Sequence, residues 1–413
     1  LILSRFGKSA LFIAVSLILS LLAVPSFAAT KHAVSMSRIP ESLVAGEKIT
    51  LSGKTVGNLK GSKVKIQVAA GKKWKTVVTV KSEKKSGKWT AKIRVPKTVK
   101  EVSIRAISGK KITKIQKAAI IAPLNLVTVG PGSRILGVDL SRWQSSDQPI
   151  DFKRMAAAGV GFAFIKGSDG LGSEDELAIP HVTNWAPAAK SAGILVGYYH
   201  FARIPVSNDP IAIKRSARWQ ARQAAARLAL LGGYDDRTMP YVLDIEKVDG
   251  KVTDEMVTLW TITWLRSMQK LTDRAPIVYS YRSFLKNRFL QDEPTKKRLR
   301  NYHLWLAQPG NPARGSVHVG QGLNGAPCYN SAWKQSDCSY VWTFWQYTSR
   351  GDRETFGIPW HTSAPECPAD VTLCFPGPGS ARKHLDMNVF NGTADDLLAL
   401  TNGTWVRSAA EYR

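Results

Sequence analysis

From Ile135 onward, short apolar runs alternate with stretches of helical periodicity. The runs are "ILGVDLS", "GFAFIKGS", "ILVGYYHF", "PYVLDIE" and "APIVYSY". The stretches between and after them, near 151–158, 182–192, 209–231, 253–271 and 283–289, space their apolar residues as helices do. Strand and helix repeated in this order predict a parallel sheet. Three further runs, "HLWLAQ", "VWTFWQYT" and "LDMNVF", follow without clear helices between them. About eight strands with five helices predict an α/β barrel whose last part is irregular. A doubly wound open sheet is the alternative. No Gly-rich phosphate fingerprint follows any strand, which weakens the nucleotide-binding form of that alternative.

Before residue 123 the rhythm is different. "KVKIQVAA", "WKTVVTVK", "KWTAKIRV" and "EVSIRAI" alternate with period two and are separated by Gly, Ser and Lys turns. Short strands at this spacing predict a small all-β sandwich over residues 30–122. "IAPLNLVTVGPGSR" carries Pro123, Gly130, Pro131 and Gly132, so residues 123–134 read as a linker to a second domain at 135–400, with a tail at 401–413.

Charge sharpens this division. Residues 30–122 hold 20 Lys and 3 Arg against 4 Glu and no Asp, a net of +19 out of +27 for the whole chain. The 291 residues from Pro123 onward carry only +6. Residues 1–29 show a basic start (Arg5, Lys8), an apolar run and small residues at Ser26 and Ala28. That pattern predicts a signal peptide, hence a secreted, extracellular or wall-associated protein. Export makes disulfides the expected state of the four cysteines. Short loops favour Cys328–Cys338 and Cys367–Cys374, and no zinc-type spacing is present. For an exported chain, anionic wall polymers are the expected partners of residues 30–122, and nucleic acid is not. No cofactor or metal is expected, and the chain is expected to be a monomer.

Candidate chemistry sits where a parallel barrel places it, at the carboxyl ends of strands. Asp139, His200, Asp244, Glu246 and Asp386 fall there. Asp244 and Glu246 are two residues apart, so they share a face with Cα atoms roughly 6.5 Å apart. Two close carboxyls raise each other's proton affinity. One can then remain a general acid near neutral pH, which suits glycosidic cleavage. Neither an H-E-x-x-H metal motif nor a G-x-S-x-G elbow is present.

The ordered set "ILGVDLSRWQ", "FAFIKGSDG", "GILVGYYHFAR", "YVLDIE", "PIVYSY", "HLWLAQ", "TFWQYTSRG" and "LDMNVFNGT" resembles glycoside hydrolase family 25, the Chalaropsis-type lysozymes or N-acetylmuramidases. The resemblance covers about residues 135–395. It implies an irregular TIM-like (β/α) barrel of five β/α units plus three strands. It implies cleavage of the β-1,4 bond from N-acetylmuramic acid to N-acetylglucosamine in peptidoglycan. It also implies Glu246 as general acid, Asp244 as the neighbouring carboxylate, Asp139 and Asp386 as the remaining acids, and Tyr198, His200, Trp305, Trp345 and Tyr347 as cleft-lining residues. The basic region resembles bacterial immunoglobulin-like modules in pattern only. Two departures stand out. The family's K-x-Ser/Thr-Glu-Gly motif reads "KGSDG" here, with Asp169 in place of Glu. Segments 308–340 and 359–383 look like insertions and carry all four cysteines. They leave room for an alternative, a noncatalytic wall-binding or adhesion protein on the same barrel.

Overall fold

The computed structural model describes residues 33–97, 99–144, 149–308, 342–359 and 385–404. The expected signal segment 1–29, residues 405–413 of the expected tail and the four cysteines lie outside the described residues, and with them both expected disulfides. The chain forms two compact units, one built on Lys48–Arg94 and Val102–Lys117, the other holding Glu41–Glu47, Val95–Glu101 and the chain from Ala118 onward.

The all-β part contains nine strands: β1 (Ala33–Met36), β2 (Ser42–Val44), β3 (Lys48–Val56), β4 (Lys63–Ala69), β5 (Trp74–Lys81), β6 (Lys88–Arg94), β7 (Glu101–Ser108), β8 (Lys111–Ile112) and β9 (Gln116–Ile121). They make two sheets, β1-β3-β6 and β2-β9-β7-β4-β5, with β8 on β7. The four runs with clear alternation became β4 to β7. Strand β3 shows a weaker alternation in the sequence because its inward positions 53 and 55 are Gly and Thr instead of large apolar residues. Gly53 is required there: a Cβ would lie 2.0 Å from the Ser35 carbonyl oxygen and 2.4 Å from the Trp89 ring.

The second unit is a closed barrel of eight strands: β10 (Leu136–Leu140), β11 (Val160–Asp169), β12 (Leu195–Phe201), β13 (Val242–Asp244), β14 (Ile277–Tyr281), β15 (His303–Ala307), β16 (Phe344–Gly351) and β17 (Leu385–Phe390). Neighbours from β10 to β16 pair in parallel. Strand β17 runs antiparallel to both β16 and β10 and closes the ring. The helices are α1 (Phe152–Ala157), α2 (Gly172–Ser191), α3 (Pro210–Leu230), α4 (Asp254–Thr272), α5 (Arg282–Asn287), α6 (Glu293–Leu299) and α7 (Ala394–Thr401). Side-chain caps start several of them. Asp151 accepts from the Lys153 and Arg154 amides, Asp209 precedes Pro210 at the head of α3, and Thr253 caps α4. Helix α2 begins ten residues before its expected start near 182, because Pro180 and Pro187 lie inside it and mask its periodicity.

Strand parity divides the core in two. Phe162, Phe164, Leu195, Tyr199, Val242, Ile277, Tyr279, Trp305, Phe344 and Phe390 fill the barrel interior. Val138, Ala163, Ile165, Tyr198, Tyr241, Leu243 and Ile245 pack in the layer shared with the helices. The stretch 123–134 is not a free linker. Leu124 and Leu126 pack against the interior cluster. The Asn125 amide donates to Gly193 O at 3.1 Å, and its side chain donates to Ala156 O at 2.7 Å. These partners precede β12 and β11, so the segment covers the end of the barrel opposite the strand carboxyl termini. An apolar barrel interior needs such a cover to stay dry.

Candidate active site

Four carboxyls gather at the carboxyl end of the barrel. Asp139 comes from β10, Asp244 from the end of β13, and Glu246 from two residues beyond it. Asp386 comes from the start of β17, which reaches the same end because that strand is reversed. Asp139 and Asp386 are direct cross-strand partners. Burial raises the proton affinity of all four, and repulsion from neighbouring acids adds to it for Asp244, Glu246 and Asp386. Desolvation, opposed by two hydrogen bonds, brings Asp139 up to about 6. Asp244 rises well above the ordinary carboxylate range through burial and then through Glu246. Glu246 rises through burial and then Asp139, and Asp386 through burial and then Asp139 and Glu246. Four acids at one mouth, Asp139 and Asp244 buried and Glu246 and Asp386 half-buried, cannot all be ionised comfortably.

Asp139 is held by a relay of side chains. Its Oδ2 accepts from Gln346 Nε2 at 3.0 Å and from Asn388 Nδ2 at 2.8 Å. Each amide is turned by a donor behind it. Tyr279 Oη donates to Gln346 Oε1 at 3.0 Å, and Trp305 Nε1 donates to Asn388 Oδ1 at 2.7 Å. With both amide oxygens engaged, both NH2 groups must face Asp139. These bonds favour its ionised form and offset part of the burial effect.

A second charge centre lies beside the Asp244–Glu246 pair. Asp169 is buried and binds Lys166 Nζ at 2.7 Å and Arg203 Nε at 2.8 Å. Burial alone would raise it, but the two cations and the Leu171 amide more than offset that, and its carboxyl lies below the ordinary range. It therefore stays a charged anchor, not an acid. The Lys166 ammonium in turn lowers both Asp244 and Glu246. Asp244 Oδ1 is buried and has no hydrogen-bond partner among the described residues.

The aromatic expectations divide. Trp305 sits in the interior beneath the acids, stacked on Phe164 at 4.3 Å, where it orients Asn388. Tyr198, His200, Trp345 and Tyr347 do not meet the carboxyls. Tyr198, Trp345 and Tyr347 lie buried in the helix-side layer. His200 is fully buried between Ser168 Oγ at 2.9 Å and Gln220 Oε1 at 3.0 Å, and burial lowers it to about 4. It is a neutral structural imidazole. The residues that do face the acids are one position away or on other strands: Tyr199 and Tyr279, whose phenols are raised by burial and by the acid cluster, together with Gln346 and Asn388. No sequence signal marked Gln346 or Asn388. Tyr199 was visible only through strand parity. Among the described residues no group of three or more His, Cys, Asp or Glu is disposed to hold a metal ion.

The family model for Glycosyl hydrolases family 25 matches residues 138–355, just over half the chain. Lysozyme M1 of Streptomyces globisporus is 28% identical over 290 residues, 67% of this chain and 75% of that protein. The uncharacterized protein YegX of Escherichia coli (strain K12) is 26% identical over 279 residues, 65% of this chain and 74% of that one. Among solved structures, the muramidase from Acremonium alcalophilum aligns over 65% of this chain and all of that one, at 24% identity and a TM-score of 0.42.

Proposed function

The chain belongs to glycosyl hydrolases family 25, and from that premise we propose that it is a lysozyme. It hydrolyses peptidoglycan at the β-1,4 bond between N-acetylmuramic acid and N-acetylglucosamine. The observation that carries this reading is the cluster of Asp139, Asp244, Glu246 and Asp386, four acids with raised proton affinity at one barrel mouth.

Roles follow from the surroundings of each acid. Asp244 and Glu246 each hold a proton more tightly than a free carboxyl, Asp244 through burial and Glu246, and Glu246 through burial and Asp139. The unpartnered Oδ1 of Asp244 is suited to accept the N–H of the substrate's 2-acetamido group. That bond favours ionised Asp244 and leaves the proton on Glu246, the more accessible of the two. Glu246 then protonates the glycosidic oxygen as the bond to the anomeric carbon breaks. The acetamido oxygen, steered by Asp244, attacks that carbon. Water, deprotonated by Glu246, completes hydrolysis with retention. Direct attack by Asp244 is the competing route. Asp139 and Asp386 complete the acidic wall of the cleft, and Tyr199 and Tyr279 border it.

In this reading the barrel is the irregular TIM-like form, with residues 30–122 as an immunoglobulin-like β-sandwich that attaches to anionic wall polymers. Residues 1–29 direct export, so the enzyme acts outside the cell. The test is reducing-end release from purified peptidoglycan, with product masses. New muramic acid reducing ends from the parent, and none from Glu246→Gln, support it. Release at the parent rate by that variant removes Glu246 from its role.

A further inference from the structure

The two outward sheet faces of the all-β part use their positive charge differently. On β1-β3-β6, Lys48 stands opposite Arg94, Thr50 opposite Lys92, Ser52 opposite Thr90, and Lys54 opposite Lys88. Strand β1 adds Ser35 beside Lys54. All these side chains are exposed, while the alternate residues Leu51, Trp89, Ala91 and Ile93 are buried. Four consecutive rows thus hold five cations and several hydroxyls and no acid. Glu47 and Glu83 fall beyond the strand ends. Lys48, Lys54, Lys88 and Lys92 have no ion-pair partner among the described residues.

Like charges placed directly opposite each other destabilise a strand pair. Lysines on edge strands are explained by protection against edge-to-edge pairing. That explanation fails for Lys54, which is paired on both sides, with Ser35 of β1 and Lys88 of β6. The other face is mixed. Lys63 opposes Lys81, but Lys65 opposes Thr79. Arg105 stacks on Trp74 at 4.0 Å and donates to Gln67 Oε1 at 2.9 Å, so its charge already has neighbours.

We propose that the outward face of β1-β3-β6 is a docking strip for the phosphodiester backbone of a linear anionic polymer carried by the cell wall. The proposal rests on the wall-attachment reading above and assigns it to one face. Rows two residues apart are spaced about 6.6 Å, so the strip is roughly 20 Å long. Its cations are mainly lysines, point charges that bind phosphate oxygens without the fixed approach angle of a guanidinium fork, which suits a polymer read by charge spacing. The hydroxyls of Thr50 and Thr90 stand between the cations as donors to non-ester oxygens, while Ser35 Oγ already donates to Lys54 O at 3.2 Å and Ser52 Oγ pairs with Ser37 Oγ at 3.0 Å. A flat strip of this kind binds by charge register, and its affinity falls as salt releases the polymer.

The test uses the full chain carrying Glu246→Gln, so that the wall stays intact during binding. Two charge-matched triple variants are compared on purified walls that retain their phosphodiester polymer: Lys54→Gln/Lys88→Gln/Lys92→Gln and Lys63→Gln/Lys65→Gln/Lys81→Gln. The first is expected to lose tenfold or more in affinity and to flatten the slope of log K against log salt by about two. The second is expected to lose less than threefold. The first should also melt no lower than the parent at low salt, since it relieves repulsion. Equal losses by the two variants overturn the strip and leave wall attachment standing. Undiminished parent binding to walls stripped of the polymer with hydrofluoric acid overturns both. Tighter binding to duplex DNA than to intact walls at the same salt overturns the polymer assignment. A first variant that melts lower than the parent makes those lysines structural and also overturns it.

Discussion

The barrel mouth and the β1-β3-β6 sheet share one feature: like charges set directly opposite each other across antiparallel strands. In the barrel the pair is Asp139 and Asp386; in the sheet it is Lys54 and Lys88. The surroundings make them different devices. The acids are removed from water, so repulsion and desolvation are relieved by taking up protons. The lysines stand in water, keep their charge and repel each other through a screened medium. Burial turns like-charge register into proton storage, and exposure turns it into an unpaired electrostatic surface.

The largest expected effect breaks the barrel side. Glu246→Gln should lower the rate of reducing-end release from peptidoglycan by 10²-fold or more, the scale of general acid catalysis, with the melting profile retained. Next comes the relay behind Asp139. Asn388→Leu removes one donor to the ionised form, so Asp139 should titrate higher than about 6. The pH–rate limb that depends on its ionisation should then move to higher pH. Trp305→Phe, which keeps a ring but loses the indole donor, should move the limb the same way by less. An unchanged profile in both would detach the relay from Asp139.

The third prediction concerns stability. Asp139 is raised from 3.8 to about 6 in the folded chain, so the folded state binds its proton more tightly than the unfolded state. Its contribution is fully present below pH 3.8 and is lost as pH rises through about 6. By pH 7 the loss amounts to about 3 kcal/mol. Asp139→Asn keeps an oxygen that can accept from Gln346 and Asn388. It should melt higher than the parent at pH 7, with the difference vanishing near pH 4, and it should be inactive. A variant that melts lower at pH 7 would show that the charge is compensated. The smallest effect lies on the other side of the comparison. Lys88→Gln should raise the melting midpoint slightly in low salt and not at all in high salt. Salt-independent behaviour would remove repulsion as the cause.

Much of this was legible in the chain. Apolar runs separated by helical stretches announced the barrel, and "YVLDIE" announced its two acids. The two-residue spacing puts Asp244 and Glu246 on one face, and Val242, two residues before Asp244, lies in the interior while Tyr241, Leu243 and Ile245 lie outside. The aromatic assignments were less legible for a physical reason. Strands buried on both faces carry no polar alternation to tell inside from outside. In "LVGYYHF" six of seven residues are buried, so Tyr198 and Tyr199 look alike until the barrel closes. Closure sends Tyr199 to the acids and Tyr198 to the helices.

The sequence by itself determined the two kinds of region, the order of strands and helices, the concentration of lysine in one part, and the strand-end position of the carboxyls. These are local properties, set by residue periodicity and charge. Only the tertiary structure decided that Asp386 faces Asp139, that Gln346 and Asn388 hold it, and that residues 123–134 cover the barrel end. It also decided which lysines oppose each other. Such pairings join residues far apart in the chain. They depend on strand register and on closure of the ring, and a shift of one residue would turn every side chain on a strand to the other face.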